Sequence, residues 1–279
     1  MSKQRRFHGP KLASDEYPAI KSHNNHYESV PMPSWLPAFK YQGRTSPHML
    51  AIAGGKGGCG KTTTTVGLAR TLAREASRHS GVAPSDRATD RPLVVDADSD
   101  MPDVHHVAEV SREPGIDQLV DGQSVNSVTQ SSERFPGVRF LTTGRRGAIA
   151  DALGRIRSWD GPVLVDCPPG SSPDAVRPLR HADAVLIVTT DEPASLDDAA
   201  RTVRTARRLG TQQVGVVMTR RTRESPPSAV GGCRLIATSP FVSAPFSHQQ
   251  VERSWERVVQ QVWNRSSAVG TTSEGIFTD

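Results

Sequence analysis

The chain has 279 residues, of which 35% are hydrophobic and 23% charged, a composition that suits one substantial globular core. No apolar run approaches the roughly 18 residues of a membrane-spanning helix; the longest, 184–188, is far shorter. The formal charge of +5 suggests nucleic acid only until it is divided: residues 1–48 carry +4 and the rest +1, so the basic pI says little about the folded part.

Residues 1–48 hold six prolines and no sustained periodicity, and they read as a disordered basic leader. Met49 falls directly before the first strand and offers an alternative start, which would leave the leader untranslated. No apolar stretch follows the N-terminal basic residues, so they do not form a secretory signal, and a cytoplasmic location is expected. From Met49 strands and helices alternate. The expected strands are 49–53, 93–96, 138–141, 163–165, 184–188 and 214–218; the helices are 62–74, 148–157, 173–180 and 195–209. The strands are nearly uninterrupted apolar runs, as expected of a parallel sheet covered on both faces. This alternation predicts an α/β fold, doubly wound, with a mainly parallel sheet and ligands beyond the carboxyl ends of the strands. Val251, Trp255, Val258, Val259 and Val262 share one face of a last helix, expected to cover the sheet rather than a membrane. One domain over 49–265 and a polar tail over 266–279 complete the reading.

Gly55-Lys56-Gly57-Gly58-Cys59-Gly60-Lys61-Thr62 fits G-x-x-x-x-G-K-[ST], after a strand and opening a helix. Glycines at these positions let main-chain N–H groups turn inward around phosphates, and the helix N-terminus adds favourable dipole charge. Lys61 is expected to reach the β- and γ-phosphates of ATP, the Thr62 hydroxyl to bind Mg²⁺, and Thr63 to reach the α-phosphate. Residues 49–279 contain 25 arginines but only two lysines, Lys56 and Lys61. Both fall in this loop, where a compact ammonium fits between phosphate oxygens and a planar guanidinium crowds.

Two acidic strand ends complete the expected site. Leu93-Val94-Val95-Asp96-Ala97-Asp98 carries carboxylates on alternate residues, expected to face apart. Val163-Leu164-Val165-Asp166 ends another strand before a Pro-Pro-Gly turn. An acid after an apolar strand beside a phosphate loop holds Mg²⁺ through water, which makes these two strand ends, Asp166 among them, candidates to hold the metal with Thr62.

At these residues the chain resembles the ParA/MinD family of ATPases, the deviant Walker-A branch of P-loop NTPases; the distinguishing residue is Lys56, the additional signature lysine. The resemblance covers about Met49 to Arg220 and implies a homodimer that sandwiches ATP, with Lys56 reaching the partner's nucleotide. It implies that Asp98 positions or activates the attacking water while Asp96 lies nearer the metal, so that Lys56, Lys61 and Asp98 form the catalytic set. It also implies slow turnover completed by an activating partner, a nucleotide-sensing switch over 166–170, and a base site bordered by Thr219 and Arg220. Three departures stand out. The stretch 235–241 replaces the family's further strand and adenine loop, the iron–sulfur carriers' cysteine pairs are lacking, and no membrane helix is expected at 266–279.

Arg201, Arg204, Arg207 and Arg208 fall within one arc of the helix at 195–209, with Arg220, Arg221 and Arg223 beyond it. They form either a face for non-specific DNA or an ordinary solvated surface. His105 and His106 are adjacent and cannot both turn to one ion from a regular element. The favoured function is an ATP-dependent switch that partitions or positions cargo. The alternatives are a non-catalytic nucleotide-regulated scaffold and a metabolic P-loop enzyme, whose substrate pocket the sequence does not identify.

Overall fold

The computed structural model describes residues 46–80, 91–145, 148–170, 172–222 and 224–263. The leader up to residue 45, the tail at 266–279 and Arg223 lie outside them. In chain order the elements are β1 (Met49–Ala53), α1 (Lys61–Ser80), β2 (Leu93–Asp96), α2 (Val104–Ala108), α3 (Ile116–Val120), α4 (Val125–Val128), β3 (Gln130–Ser131) and β4 (Arg139–Leu141). There follow α5 (Ile149–Ile156), β5 (Val163–Asp166), α6 (Pro173–His181), β6 (Ala184–Thr189), α7 (Pro193–Arg208), β7 (Gln212–Arg221), β8 (Ala229–Val230), β9 (Cys233–Pro240) and α8 (Gln249–Val262).

The strands form one sheet in the order β3-β4-β2-β5-β1-β6-β7-β9-β8. All neighbours from β4 to β9 run parallel, and only the short edge strands β3 and β8 run antiparallel. Successive residues of a strand point to opposite faces, and β1 divides accordingly. Met49, Ala51 and Ala53 join a core with α3, α5, α6 and α7. Leu50 and Ile52 join a second core with α1, α2 and α8. Both faces are therefore covered, as the unbroken apolar strands require.

The last helix packs as expected, with Val251, Trp255, Val258, Val259 and Val262 all buried. Gly67 of α1 lets it approach: a Cβ there would sit 2.3 Å from the Trp255 ring. One departure is corrected by the structure. The stretch expected to replace the family's further strand is itself strand β9, paired parallel with β7. Its signal was weakened because exposed Arg234 and half-buried Thr238 interrupt the apolar run.

Candidate functional site

At β1 the sheet grows in two directions, toward β5 and β2 on one side and toward β6 and β7 on the other. A crevice beyond the carboxyl ends belongs at such a switch point, and the loop from Gly54 to Gly60 occupies it. Gly58 and Gly60 have φ of 76° and 86°, the left-handed region that glycine enters without a Cβ penalty. Gly55 packs so tightly on α7 that a Cβ would lie 2.0 Å from Asp198 Cβ. The Cys59 side chain turns away into the core, its Sγ 3.5 Å from the Val188 carbonyl, so only its main chain is available to a ligand. Thr219 Oγ1 donates to the Cys59 carbonyl at 2.6 Å, and Gly170 N–H donates to the Gly54 carbonyl at 3.2 Å. The loop is thus held from β7 and from the turn after β5.

Lys61 is buried and Nζ lies 3.4 Å from the Lys56 carbonyl, across the loop. Thr62 Oγ1 donates to Asp166 Oδ2 at 2.7 Å, and Thr65 Oγ1 donates to Asp166 Oδ1 at 3.2 Å. Thr65 was not singled out in the sequence, although three-residue spacing on a helix puts it on the Thr62 face. Lys56 is half exposed and pairs within its own chain with Glu192, at the start of α7. An exposed pair of this kind contributes about 0–1 kcal/mol and exchanges partners readily.

Asp96, Asp98 and Asp166 are all buried at neighbouring strand ends. The expectation that Asp96 and Asp98 face apart is wrong: residues two apart along a strand share a face. Here β2 stops at Asp96, whose Oδ1 accepts from Asp98 N–H at 3.1 Å and whose Oδ2 accepts from Val104 N–H at 3.2 Å. Asp98 Oδ1 in turn accepts from Asp100 and Met101 N–H at 3.1 and 3.0 Å, which shapes the segment leading to α2. Burial, followed by repulsion from Asp166, pushes Asp96 well above the usual carboxylate range. Asp166 rises to about 6, again mainly through burial, against the opposing pull of the Thr62 hydroxyl and the Lys61 ammonium. Buried carboxylates that repel one another beside a hydroxyl are oxygen donors of the kind a hard divalent cation such as Mg²⁺ takes. Thr62 would hold it directly, and Asp96 and Asp166 through water.

On the other side of the loop a cleft of about 480 Å³ opens among Thr63, Thr219, Arg220, Ser239, Phe241 and Trp255. The Arg220 guanidinium lies 5.6 Å from the centroid of the exposed Phe241 ring. Thr63, Thr219 and Arg220 were expected here; Ser239, Phe241 and Trp255 were missed because they come from β9, the residue that follows it and α8. On α7, Arg201 pairs with Asp198 at 2.8 Å and Arg207 Nε donates to Gln213 at 3.2 Å. Arg204 and Arg208 are exposed. His105 and His106 stack on each other, with ring centroids 3.9 Å apart. Among the described residues no cluster of three or more His, Cys, Asp or Glu is arranged for a metal ion, and no helix is long and apolar enough to cross a membrane.

A family model described as ParA, the NUBPL iron-transfer P-loop NTPase, matches residues 45–226. An uncharacterized ATP-binding protein of Methanocaldococcus jannaschii is 25% identical over 205 residues, 69% of this chain and 72% of its own length. An iron–sulfur cluster carrier protein of Rickettsia conorii is 27% identical over 203 residues, 68% of this chain and 58% of its own. Among solved structures, the cell division ATPase MinD of Pyrococcus furiosus superposes with a TM-score of 0.63 at 22% identity, covering 77% of this chain and 98% of that one. The septum site-determining protein MinD of Pyrococcus horikoshii, complexed with Mg-ADP, gives 0.61 at 19%, covering 77% and 95%. At such identities the structural likeness establishes the fold.

Proposed function

The chain belongs to the ParA family of P-loop NTPases, and on that premise we propose that it is an ATP-dependent dimerising switch that hydrolyses ATP with Mg²⁺ to position or partition cargo. One observation carries the reading. Thr62 is locked to Asp166 at 2.7 Å at the mouth of α1, beside buried Lys61, and a cleft able to admit a base adjoins the loop. Loop amides and Lys61 bind the phosphates, and the Arg220–Phe241 pair flanks the base. Asp166 orients the Thr62 hydroxyl so that its lone pairs face the phosphate side. Mg²⁺, held by Thr62 directly and by Asp96 and Asp166 through water, would supply neutralisation of the phosphate charge. Asp98 accepts a hydrogen bond from the attacking water and aligns it.

Lys56 acts in trans, leaving Glu192 when a second copy presents its nucleotide. Exposed Arg204 and Arg208 provide cationic contacts for non-specific DNA as the cargo platform. The iron–sulfur carrier name of some relatives finds less support in this chain's donors: Cys59, Cys167 and Cys233 are each buried, on three different strands or loops. The test is ATP-dependent dimerisation of the wild type and of Lys56→Ala, followed by light scattering with Mg·ATP. The variant should bind ATP with little loss and remain monomeric. Wild-type dimerisation by the variant would refute the role in trans, and failure of the wild type to retain Mg·ATP at millimolar concentration would refute the whole reading.

A further inference from the structure

The nucleotide reading uses the loop and the β7–β9 side of the carboxyl edge. On the opposite side, beyond the ends of β2 and β4, lies a separate cleft of about 660 Å³. Ser99, Pro102, His105, Arg112, Thr143 and Gly144 line it. Three of its walls are fixed. Thr142 Oγ1 donates to the Arg112 and Pro114 carbonyls at 2.6 and 3.2 Å, binding the loop before α3 to the end of β4. Asp117 Oδ1 accepts from both the N–H and Nε of Arg145 at 2.8 and 3.1 Å. Gly144 seats the same turn on α3 so closely that a Cβ would lie 2.6 Å from Asp117 Oδ1. The fourth wall, Ser99 to Pro102, directly follows Asp98.

The groups left over inside these walls are mainly donors. Asp117 pairs with Arg145, which it shares with Asp121, and Glu113 stands exposed at the rim. The exposed Arg112 guanidinium has no carboxylate partner among the described residues, and Ser99 and Thr143 add hydroxyls. Burial, then the neighbouring His106 and Arg112, lowers the His105 pKa, so its ring is neutral at physiological pH and offers one N–H. A guanidinium with hydroxyl and imidazole donors matches the planar or tetrahedral oxygens of an anion.

We propose that this cleft binds a small oxyanion-bearing molecule, a carboxylate or a phosphate ester, and that its occupancy acts on the Asp98 segment through Ser99 and Pro102. The site goes beyond the nucleotide reading, and binding to it requires no nucleotide. Saturation-transfer NMR on the full chain without ATP, using succinate and glycerol 3-phosphate in turn as probes, tests the binding and separates the two sources. At least one probe should bind at millimolar concentration. Arg112→Ala should weaken it by about 10- to 100-fold, the range expected when a charged hydrogen-bonding partner is lost. Thr143→Val should weaken it less, and Arg155→Ala, on exposed α5 surface, should leave it unchanged. With ATP present, the bound probe should change the rate of phosphate release in the wild type but not in Arg112→Ala. Absence of binding by both probes, or wild-type affinity in Arg112→Ala, would overturn the site. Binding with no effect on turnover would overturn the coupling to Asp98.

Discussion

The most demanding prediction concerns Asp166, because it sets stability against ligand binding. Its folded pKa is about 6 against an ordinary 3.8, with burial the leading cause. Between those two values the unfolded chain gives up its proton while the folded chain keeps it, so rising pH favours the unfolded state. Stability is therefore lost between about pH 4 and about pH 6 and then levels off, the total being about 3 kcal/mol. Asp166→Asn removes the charge. The amide oxygen still accepts from one threonine hydroxyl, and the NH₂ faces the other; this imperfect replacement costs about 1 kcal/mol. The variant is then expected to exceed the wild type by about 2 kcal/mol at neutral pH without nucleotide or metal. Relief of repulsion on Asp96 acts in the same direction. Urea unfolding in EDTA at about pH 7.5 and about pH 4 measures the difference; the variant's advantage should be gone in acid, where the wild type keeps its proton and only the cost of the imperfect amide, about 1 kcal/mol, remains. Adding Mg·ATP should then reverse the order. The wild type gains about 2.7 kcal/mol at a hundredfold excess over Kd, and the variant gains far less. A variant less stable than the wild type at pH 7.5, or an advantage of the variant that persists in acid, would refute the reasoning.

Two further outcomes follow from the same geometry. Asp98→Ala should bind Mg·ATP yet slow phosphate release by about 100-fold or more, accumulating the ATP-bound form in single-turnover experiments; unchanged turnover would remove Asp98 from the chemistry. Gly67→Ala forces a methyl to within 2.3 Å of the rigid Trp255 ring. Overpacking of this kind costs about 1–3 kcal/mol, read as a lower urea midpoint with unchanged slope, and an unshifted midpoint would show that α8 moves away freely.

Where the sequence was legible, one local pattern determined one local structure. Strands buried on both faces read as apolar runs, and the phosphate loop reads from its spacing because backbone geometry, not a distant partner, dictates each glycine. Several illegible features depend on partners distant in the chain. Glu192 meets Lys56 across 136 positions, and Thr219 braces Cys59 across 160. β9 was misread because a strand near the sheet edge needs burial on fewer of its residues, which thins its apolar pattern. The short helices α2 to α4 have five residues or fewer, less than the two turns over which a helical period can register.

The same distinction explains how the carboxyl edge can serve more than one ligand. Phosphate binding demands a fixed main-chain ring, so the loop is braced from β5, β6 and β7. The segment after Asp98 is held chiefly by two N–H bonds to one carboxylate oxygen, and Met101 within it is 71% exposed. Few buried contacts mean a low free energy of local rearrangement. On the proposed reading, this segment, with Asp98 at one end and a wall of the second cleft at the other, is the element through which binding on either side would reach the chemistry. A rigidly packed segment there would isolate the two clefts. On the proposed reading, the exposure of Asp100 and Met101 between Asp98 and Pro102 is what would let a P-loop of fixed geometry act as a switch.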